Sequence, residues 1–227
     1  MTEEINIEEN VKKIKKQLSD IGSDAVVLAA TKTRGAETVL RAVKAGISVV
    51  GENRVQEFRD KYDAVSPFAR MDFIGTLQKN KVKYVVGKAA LIHSVDSPDL
   101  ALEISRAAEK KEILQDVLIE VNISREAQKS GVLEEDLFPL AERISVLPGI
   151  RLRGLMTVGA VLPSKEDYYP VFGRTKQLYD ALRDRYESVC VLSMGMSSNY
   201  LVAAECGANL VRVGTAIFGE RVYGANG

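Results

Sequence analysis

The sequence contains very little histidine, cysteine and tryptophan. Among its 227 residues there are one His, two Cys and no Trp. The single histidine, His93, excludes a histidine cluster around a metal and leaves a Ser–His–Asp triad unsupported, so we expect a barrel-lining residue with satisfied hydrogen bonds. Cys190 and Cys206 are too few and too far apart for a disulfide scaffold or a zinc ribbon. We therefore expect two reduced thiols in the core and no metal site.

Long apolar runs and an excess of one charge are also missing. No apolar run approaches the roughly 18–20 residues of a membrane span. The acidic residues 1–4 do not resemble the basic start of a signal peptide, so we expect a cytoplasmic protein with no membrane partner. The 31 basic and 31 acidic side chains cancel, whereas a nucleic-acid-binding protein is expected to carry a basic excess. We expect no nucleic-acid partner.

The sequence is rich in aliphatic residues, which are typical of buried parallel strands covered by helices. Hydrophobic residues make up 46% of the chain and aromatic residues only 6%. Short apolar runs predict eight strands, at residues 25–30, 47–50, 71–75, 91–95, 116–121, 149–155, 189–193 and 209–213. Apolar residues at helical spacing predict helices between them, including residues 8–18, 36–44, 98–111, 134–146, 168–186 and 198–207.

The alternation of strands and helices predicts the fold. Each strand is followed by a helix, as in right-handed βαβ crossovers of a parallel sheet. Eight such units indicate an α/β protein with a single (β/α)8 TIM barrel and an extra N-terminal helix, and an open doubly wound sheet is the alternative. Because no linker-like segment interrupts the series, we expect one domain over residues 1–227. In such a barrel the chemistry lies after the C-terminal ends of the strands.

Lys32 follows the first predicted strand after one intervening residue, Thr31. A lysine at the mouth of a buried strand enters a partly desolvated pocket, where its amine is more readily deprotonated and can act as a nucleophile, as Schiff-base chemistry requires. An ordinary solvated lysine beyond a strand is the alternative from position alone.

Small and hydroxylated residues follow the last two predicted strands. Ser-Met-Gly-Met-Ser at 193–197 and Val-Arg-Val-Gly-Thr-Ala at 211–216 can direct backbone N–H groups and hydroxyls toward an anion. Two tight turns that simply require glycine are the alternative. Arg212, inside an apolar strand, must face a group that offsets its charge. Asn53 follows the second strand, where it can cap the next helix or reach a ligand, and capping is the favoured interpretation.

These features together resemble a known family. The resemblance covers six ordered blocks from the first strand to Gly219, at residues 29–33, 51–57, 73–81, 154–157, 193–197 and 212–219. On these blocks the chain is identified as a member of the pyridoxal phosphate homeostasis proteins, whose barrel is of the alanine racemase N-terminal type. The resemblance implies a pyridoxal 5′-phosphate-binding protein that keeps the free cofactor low and supplies it to other enzymes, with no catalysed reaction of its own.

The resemblance also implies the roles of individual residues around the cofactor ring. Lys32 would form the covalent aldimine with pyridoxal 5′-phosphate. Arg212 would face the pyridine nitrogen, Asn53 would line one side of the ring, and Met156 would contact the cofactor from the sixth strand.

The phosphate site is implied in the same way. Ser197, Gly214 and Thr215 would hold the phosphate, and Ser193 would shape the cup. A racemase or lyase acting on a small amino acid is the alternative function, and a barrel for another phosphorylated metabolite is a third. We expect a monomer, with cofactor-dependent apo-enzymes as its protein partners.

The sequence departs from the family pattern at two places. Met71-Asp72 stands where an aromatic–His pair is usual, and Asn199 stands where an aspartate is usual. We expect both departures to affect surface or partner-facing details more than cofactor binding, because the lysine and phosphate blocks are intact.

Overall fold

Strands and helices alternate along the chain from beginning to end. The computed structural model describes residues 5–126, 128–159 and 162–220, so the acidic start at residues 1–4 lies outside the described part. The strands are β1 Val26–Ala30, β2 Val49–Glu52, β3 Arg70–Phe73, β4 Leu91–Val95, β5 Gln115–Glu120, β6 Ile150–Met156, β7 Val191–Ser193 and β8 Leu210–Val213. The helices are α1 Ile7–Asp20, α2 Ala36–Lys44, α3 Val55–Val65, α4 Val82–Val85, α5 Pro98–Glu109, α6 Glu134–Ser145, α7 Tyr168–Arg183, α8 Tyr200–Glu205 and α9 Thr215–Phe218.

The eight strands form a closed parallel barrel in chain order. Closure occurs where β1 pairs with β8, with Val26 opposite Leu210 and Leu28 opposite Arg212. The predicted (β/α)8 barrel with an extra N-terminal helix is therefore confirmed, and the open sheet is excluded. All strands run in the same direction, so the loops that follow them meet at one end, which we call the C-terminal mouth.

Successive strand residues point alternately into the barrel and out toward the helices, because the side-chain period of a strand is two. In β1, Val27 and Ala29 belong to the main apolar core between sheet and helices. Leu28 lies inside the barrel with Val49 and Leu210. At this level the barrel interior is filled by apolar side chains.

Helix α1 shows why the amphipathic pattern was predictive. Its apolar residues Ile7, Val11, Ile14 and Leu18 are all buried, and the side chain of Asn6 caps its first turn. The helix also carries polar contacts to the mouth, since Asn10 Nδ2 donates to the carbonyl of Ile217 over 3.0 Å. This extra helix therefore packs beside the β8 turn.

Some boundaries differ from the sequence prediction for local reasons. Helix α8 begins at Tyr200, two residues later than predicted, because residues 197–199 form a turn in which Asn199 Oδ1 accepts from the N–H of Met196 at 2.7 Å. The expectation of two core thiols was wrong, since Cys190 is exposed and Cys206 half-buried. Cys190 lies before β7 at the opposite end of the barrel, where Arg153 donates to its sulfur.

Candidate functional site

A cavity of about 320 Å³ opens at the C-terminal mouth between the β1, β7 and β8 loops. Six of the eight residues that the sequence predicted for the site line it: Lys32, Asn53, Ser197, Arg212, Gly214 and Thr215. These residues lie far apart in the sequence and are brought together because parallel strands end at the same side of the barrel.

Ser197 joins the two turns that were predicted to bind an anion. Its Oγ accepts from the N–H of Gly214 at 3.0 Å and from the N–H of Ala216 at 3.3 Å. A hydroxyl that accepts two hydrogen bonds keeps its own hydrogen for donation. The β7 turn requires glycine at Gly195, whose φ is +90°. The two turns therefore form one rigid unit with a hydroxyl donor at the cavity wall.

Asn53 does not cap helix α3, so the favoured capping interpretation was wrong. The N-cap position is taken by Arg54, without a side-chain cap hydrogen bond. Asn53 Oδ1 is instead buried with no hydrogen-bond partner among the described atoms. The loop after β3 needs glycine at Gly75, because a Cβ there would lie 2.0 Å from the carbonyl oxygen of Asn53. Asn53 is thus a buried acceptor at the cavity wall.

Arg212 is held inside the barrel by three hydrogen bonds. Its Nη1 donates to the carbonyl and to Oγ of Ser193, at 2.9 and 2.7 Å, and its Nη2 donates to the carbonyl of Thr157 at 2.7 Å. Burial lowers the pKa of Arg212 to about 10, against the opposing charge of Glu120. The guanidinium stays protonated at neutral pH. The oxygens of Ser193 and Thr157 and the charge of Glu120 offset its positive charge, as expected for an arginine inside an apolar strand.

A hydrogen-bonded chain continues behind Arg212 through the barrel interior. Ser193 Oγ lies 3.2 Å from His93 Nδ1, and His93 Nε2 lies 3.1 Å from Asp72 Oδ2. At the far end, Arg70 donates two hydrogen bonds to the Asp72 carboxylate. His93, Asp72 and Ser193 are fully buried, so the expectation of a satisfied, barrel-lining histidine is confirmed.

The protonation states of His93 and Asp72 fix which atom donates and which accepts at each hydrogen bond of this interior network. Burial lowers the pKa of His93, so the ring is neutral. Burial opposes ionisation of Asp72, but hydrogen bonds from His93 and Arg70 outweigh it and lower the pKa of the carboxyl group. Because a carboxylate only accepts, Nε2 carries the ring proton, and Nδ1 accepts the hydroxyl hydrogen of Ser193. Ser193 then accepts from Arg212, so every donor along the chain has an acceptor.

Comparisons with known proteins agree with this architecture. Residues 4–222 match the family described as alanine racemase, N-terminal domain. The pyridoxal phosphate homeostasis protein of Aquifex aeolicus is 47% identical over 201 residues, which are 88% of each chain. The protein of the same name from Vibrio cholerae is 40% identical and covers 90% of this chain and 89% of its own.

The chain belongs to the pyridoxal phosphate homeostasis protein family. Among solved structures, PipY of Synechococcus elongatus without pyridoxal phosphate superimposes with a TM-score of 0.87 at 29% identity, covering 94% of this chain and all of that one. The form of PipY with pyridoxal phosphate bound has a TM-score of 0.83 at 28% identity, with the same coverage.

Two predicted site residues of this family member do not line the cavity. Ser193 lies one layer below, where it holds Arg212. Met156 is also buried below the cavity, in an apolar cluster with Leu91 and Leu118. Val158, two residues further along the chain, reaches the cavity wall instead. The ends of β6 and β7 therefore support the site from beneath.

The two departures from the family pattern lie inside the protein, so the expectation of surface effects was wrong. Asp72 is buried in the barrel as the carboxylate of the interior chain. Asn199 is 4% exposed and shapes the β7 turn through its hydrogen bond to Met196. Asp72 is linked to Arg212 through His93 and Ser193, and Asn199 holds the turn that carries Ser197.

Sequence reasoning missed several cavity residues because their neighbours gave no chemical pattern. The missed residues include Arg34, Ile74, Met196, Ser198 and Phe218. Arg34 lies two residues after Lys32, and its Nη2 donates to the carbonyl of Gly219 at 2.7 Å. Its position in the loop after β1 could have marked Arg34 as a cavity residue, because the loops after the strands meet at the C-terminal mouth.

Neither a metal centre nor a membrane span is found in the described residues. Within residues 5–126, 128–159 and 162–220, no group of three or more His, Cys, Asp or Glu side chains is arranged to hold a metal ion. Over the same residues, every helix is too short or too polar to cross a bilayer.

Proposed function

We propose that this protein binds pyridoxal 5′-phosphate in the cavity at the C-terminal mouth and takes part in pyridoxal phosphate homeostasis by holding and releasing it. The observation that carries the proposal is that Lys32 lines the same cavity as the joined β7 and β8 turns. Membership of the homeostasis family and the likeness to PipY with pyridoxal phosphate bound support the assignment.

The residues present fit this ligand. A phosphate needs hydrogen-bond donors, and Ser197, Gly214 and Thr215 line one side of the cavity. A polar ring with a hydroxyl group needs a hydrogen-bond acceptor. The buried Asn53 Oδ1 is such an acceptor, since it receives no hydrogen bond from the described residues. An unsatisfied buried acceptor is costly, so a ligand donor there would be favourable.

Lys32 supplies the covalent attachment in this proposal. Pyridoxal phosphate brings an aldehyde and an electron-accepting ring. The Lys32 amine adds to the aldehyde carbon, and water leaves as the C=N bond of a Schiff base forms. Hydrolysis reverses the same steps, so the ligand can be released again.

Arg212 favours storage over turnover. A guanidinium that remains protonated next to the ring nitrogen keeps that nitrogen unprotonated, which weakens the ring as an electron sink. The exposed residues Ser198 and Thr215 place one side of the cavity next to solvent. Exchange of the ligand is therefore easier than exclusion of water, which most pyridoxal phosphate chemistry requires.

The wider roles follow from the proposed storage function. We assign the whole chain, residues 1–227, to one pyridoxal phosphate-binding barrel domain that works as a monomer in the cytoplasm. Its protein partners are apo-enzymes that accept the cofactor, and it needs neither nucleic acid nor a membrane.

The test is an absorption spectrum of the protein mixed with pyridoxal phosphate. We expect a new band near the edge of the visible range, which borohydride removes by reducing the C=N bond to a stable amine. Peptide mass analysis should then find the added mass on Lys32. Lys32→Ala should lose the band, whereas Lys79→Ala, at an exposed ion pair with Asp99, should keep it.

The same samples test the alternatives. An identical band with Lys32→Ala would contradict the covalent assignment. Exchange of the α-proton of added amino acids would indicate a racemase or lyase. Thermal stabilisation by sugar phosphates but not by pyridoxal phosphate would indicate a different phosphorylated ligand.

A further inference from the structure

The backbone on both sides of Lys32 is held by a charged cluster outside the barrel. Lys32 lines the cavity, whereas its neighbours Thr31 and Thr33 do not. Lys61 Nζ donates to the carbonyl of Thr31 at 2.9 Å. Glu57 Oε2 accepts from the N–H of Thr33 at 2.7 Å. The hydroxyl of Thr31 donates to the carboxylate of Glu52.

Glu52, Glu57 and Lys61 form one unit, which we call the Lys61 cluster. Lys61 Nζ lies 2.6 Å from Glu52 Oε1 and 3.1 Å from Glu57 Oε2. With the carbonyl of Thr31, these are three acceptors for the three hydrogens of the ammonium group. The Lys61 side chain is 8% exposed and that of Glu52 is fully buried. The ammonium group is therefore fixed in position, and so are the groups that it contacts.

Thr33 carries backbone strain that this cluster maintains. Its φ is +65°, in the left-handed region. That region is strongly disfavoured for a β-branched residue and persists where the surroundings enforce it. The hydrogen bond from the N–H of Thr33 to Glu57 is such an enforcing contact. The strained turn immediately follows Lys32, so it sets the direction in which the chain leaves the lysine.

We propose that Lys61 and Glu57 are positioning residues that orient Lys32 toward the cavity by fixing the backbone on either side of it. The inference rests on the proposed function, because it assumes that Lys32 makes the covalent bond. Glu57 and Lys61 do not line the cavity, and they contact the backbone of Thr33 and Thr31. The cluster therefore affects ligands that react with Lys32 and spares ligands that do not.

The experiment compares two ligands that differ at one group. Pyridoxal 5′-phosphate has the aldehyde, and pyridoxine 5′-phosphate has an alcohol in its place and cannot form the C=N bond. Glu57→Ala removes the acceptor for the N–H of Thr33. We expect it to weaken binding of pyridoxal phosphate about tenfold, as for loss of a hydrogen bond to a charged group, and to slow appearance of the absorption band. Binding of pyridoxine phosphate should change less than about twofold, within the range of neutral substitutions.

A conservative variant separates positioning from loss of charge. Glu57→Gln keeps a carbonyl oxygen that can accept from Thr33, so it should retain most of the affinity for pyridoxal phosphate. Lys61→Met should resemble Glu57→Ala, with Lys176→Met as the matched control, because Lys176 also pairs with an acidic residue four positions along its helix. If Lys61→Met fails to fold because the buried Glu52 loses its charged partner, the comparison of Glu57→Ala with Glu57→Gln still tests the positioning role.

The outcomes distinguish this inference from the function on which it rests. If wild-type protein forms no covalent bond with pyridoxal phosphate, the proposed function fails and the inference fails with it. If wild-type protein forms the bond and Glu57→Ala weakens both ligands equally, or neither of them, the positioning role alone is overturned. A selective loss for the aldehyde, restored by Glu57→Gln, supports it.

Discussion

Replacing His93 by Gln is expected to remove one pH-dependent component of the protein's stability. His93 is the only histidine in the chain. It is fully buried, and burial lowers its pKa below the value of 6.5 that it has in the unfolded chain. As the pH falls below 6.5, His93 therefore takes up a proton in the unfolded state but stays neutral in the folded state. Stability from this residue is present above the unfolded pKa and is lost as the pH falls through it.

The size of the loss follows from proton linkage. For one group that is protonated only when unfolded, lowering the pH from about 7.5 to about 5.5 costs at most about 1.4 kcal/mol of unfolding free energy. The carboxyl groups of Glu52, Asp96 and Glu120 oppose this trend, because burial raises the pKa of each. They are common to both proteins, so the difference between wild type and variant isolates His93.

Gln is the replacement of choice because it preserves the hydrogen-bond pattern of a neutral histidine. Its amide nitrogen can donate to Asp72, and its oxygen can accept from Ser193. Urea unfolding of both proteins at the two pH values gives the unfolding free energies, with equal denaturant slopes as the control for unchanged compactness. Parallel pH dependence in the two proteins would show that His93 takes up a proton in the folded state too, and the direction assigned to the interior chain would be wrong.

Two further predictions concern the turns at the mouth. Ser197→Ala removes the acceptor of two backbone N–H groups and should lower the unfolding free energy by about 2 kcal/mol and weaken binding of phosphate-bearing ligands, while exposed Ser19→Ala should stay within about 0.5 kcal/mol. Equal stabilities in urea unfolding would contradict the joining of the turns. Gly75→Ala drives a Cβ into the backbone of Asn53 and should cost more than about 3 kcal/mol. Gly173→Ala, inside α7 where the new Cβ meets no atom within 4 Å other than the adjacent backbone of its own helix, should stabilise by up to about 1 kcal/mol in the same assay.

Much of the fold was predictable because it depends on local patterns. Buried parallel strands need continuous apolar runs, and the run at residues 25–30 indeed contains β1. Helix α1 buries the face that its apolar spacing defines. The least predictable boundaries were those set by side-chain hydrogen bonds, as at the start of α8, where Asn199 ends the turn before the helix can begin.

The site was predictable only in part. Lys32, Arg212 and the two turns stand out because glycine, hydroxyl and charged residues are unusual directly after apolar strands. For Asn53 the local sequence favoured capping of the next helix over contact with a ligand, whereas the structure places Arg54 at the N-cap and Asn53 at the cavity wall. Met156 is absent from the cavity wall and packs with Leu91 and Leu118, since the depth of a strand residue in a barrel depends on the stagger of its neighbours.

By itself, the sequence determined the barrel, its N-terminal helix and six of the residues that line the cavity, because these depend on apolar periodicity and on which residue types occur at strand ends. Tertiary structure alone decided how those residues are supported. Asp72 and His93 are remote in sequence from Arg212, yet the barrel brings all three into one hydrogen-bond network. Lys61 reaches the backbone beside Lys32 from helix α3. Burial then fixes their charges, since a carboxylate or an imidazole takes its protonation state from neighbours that no local pattern reveals.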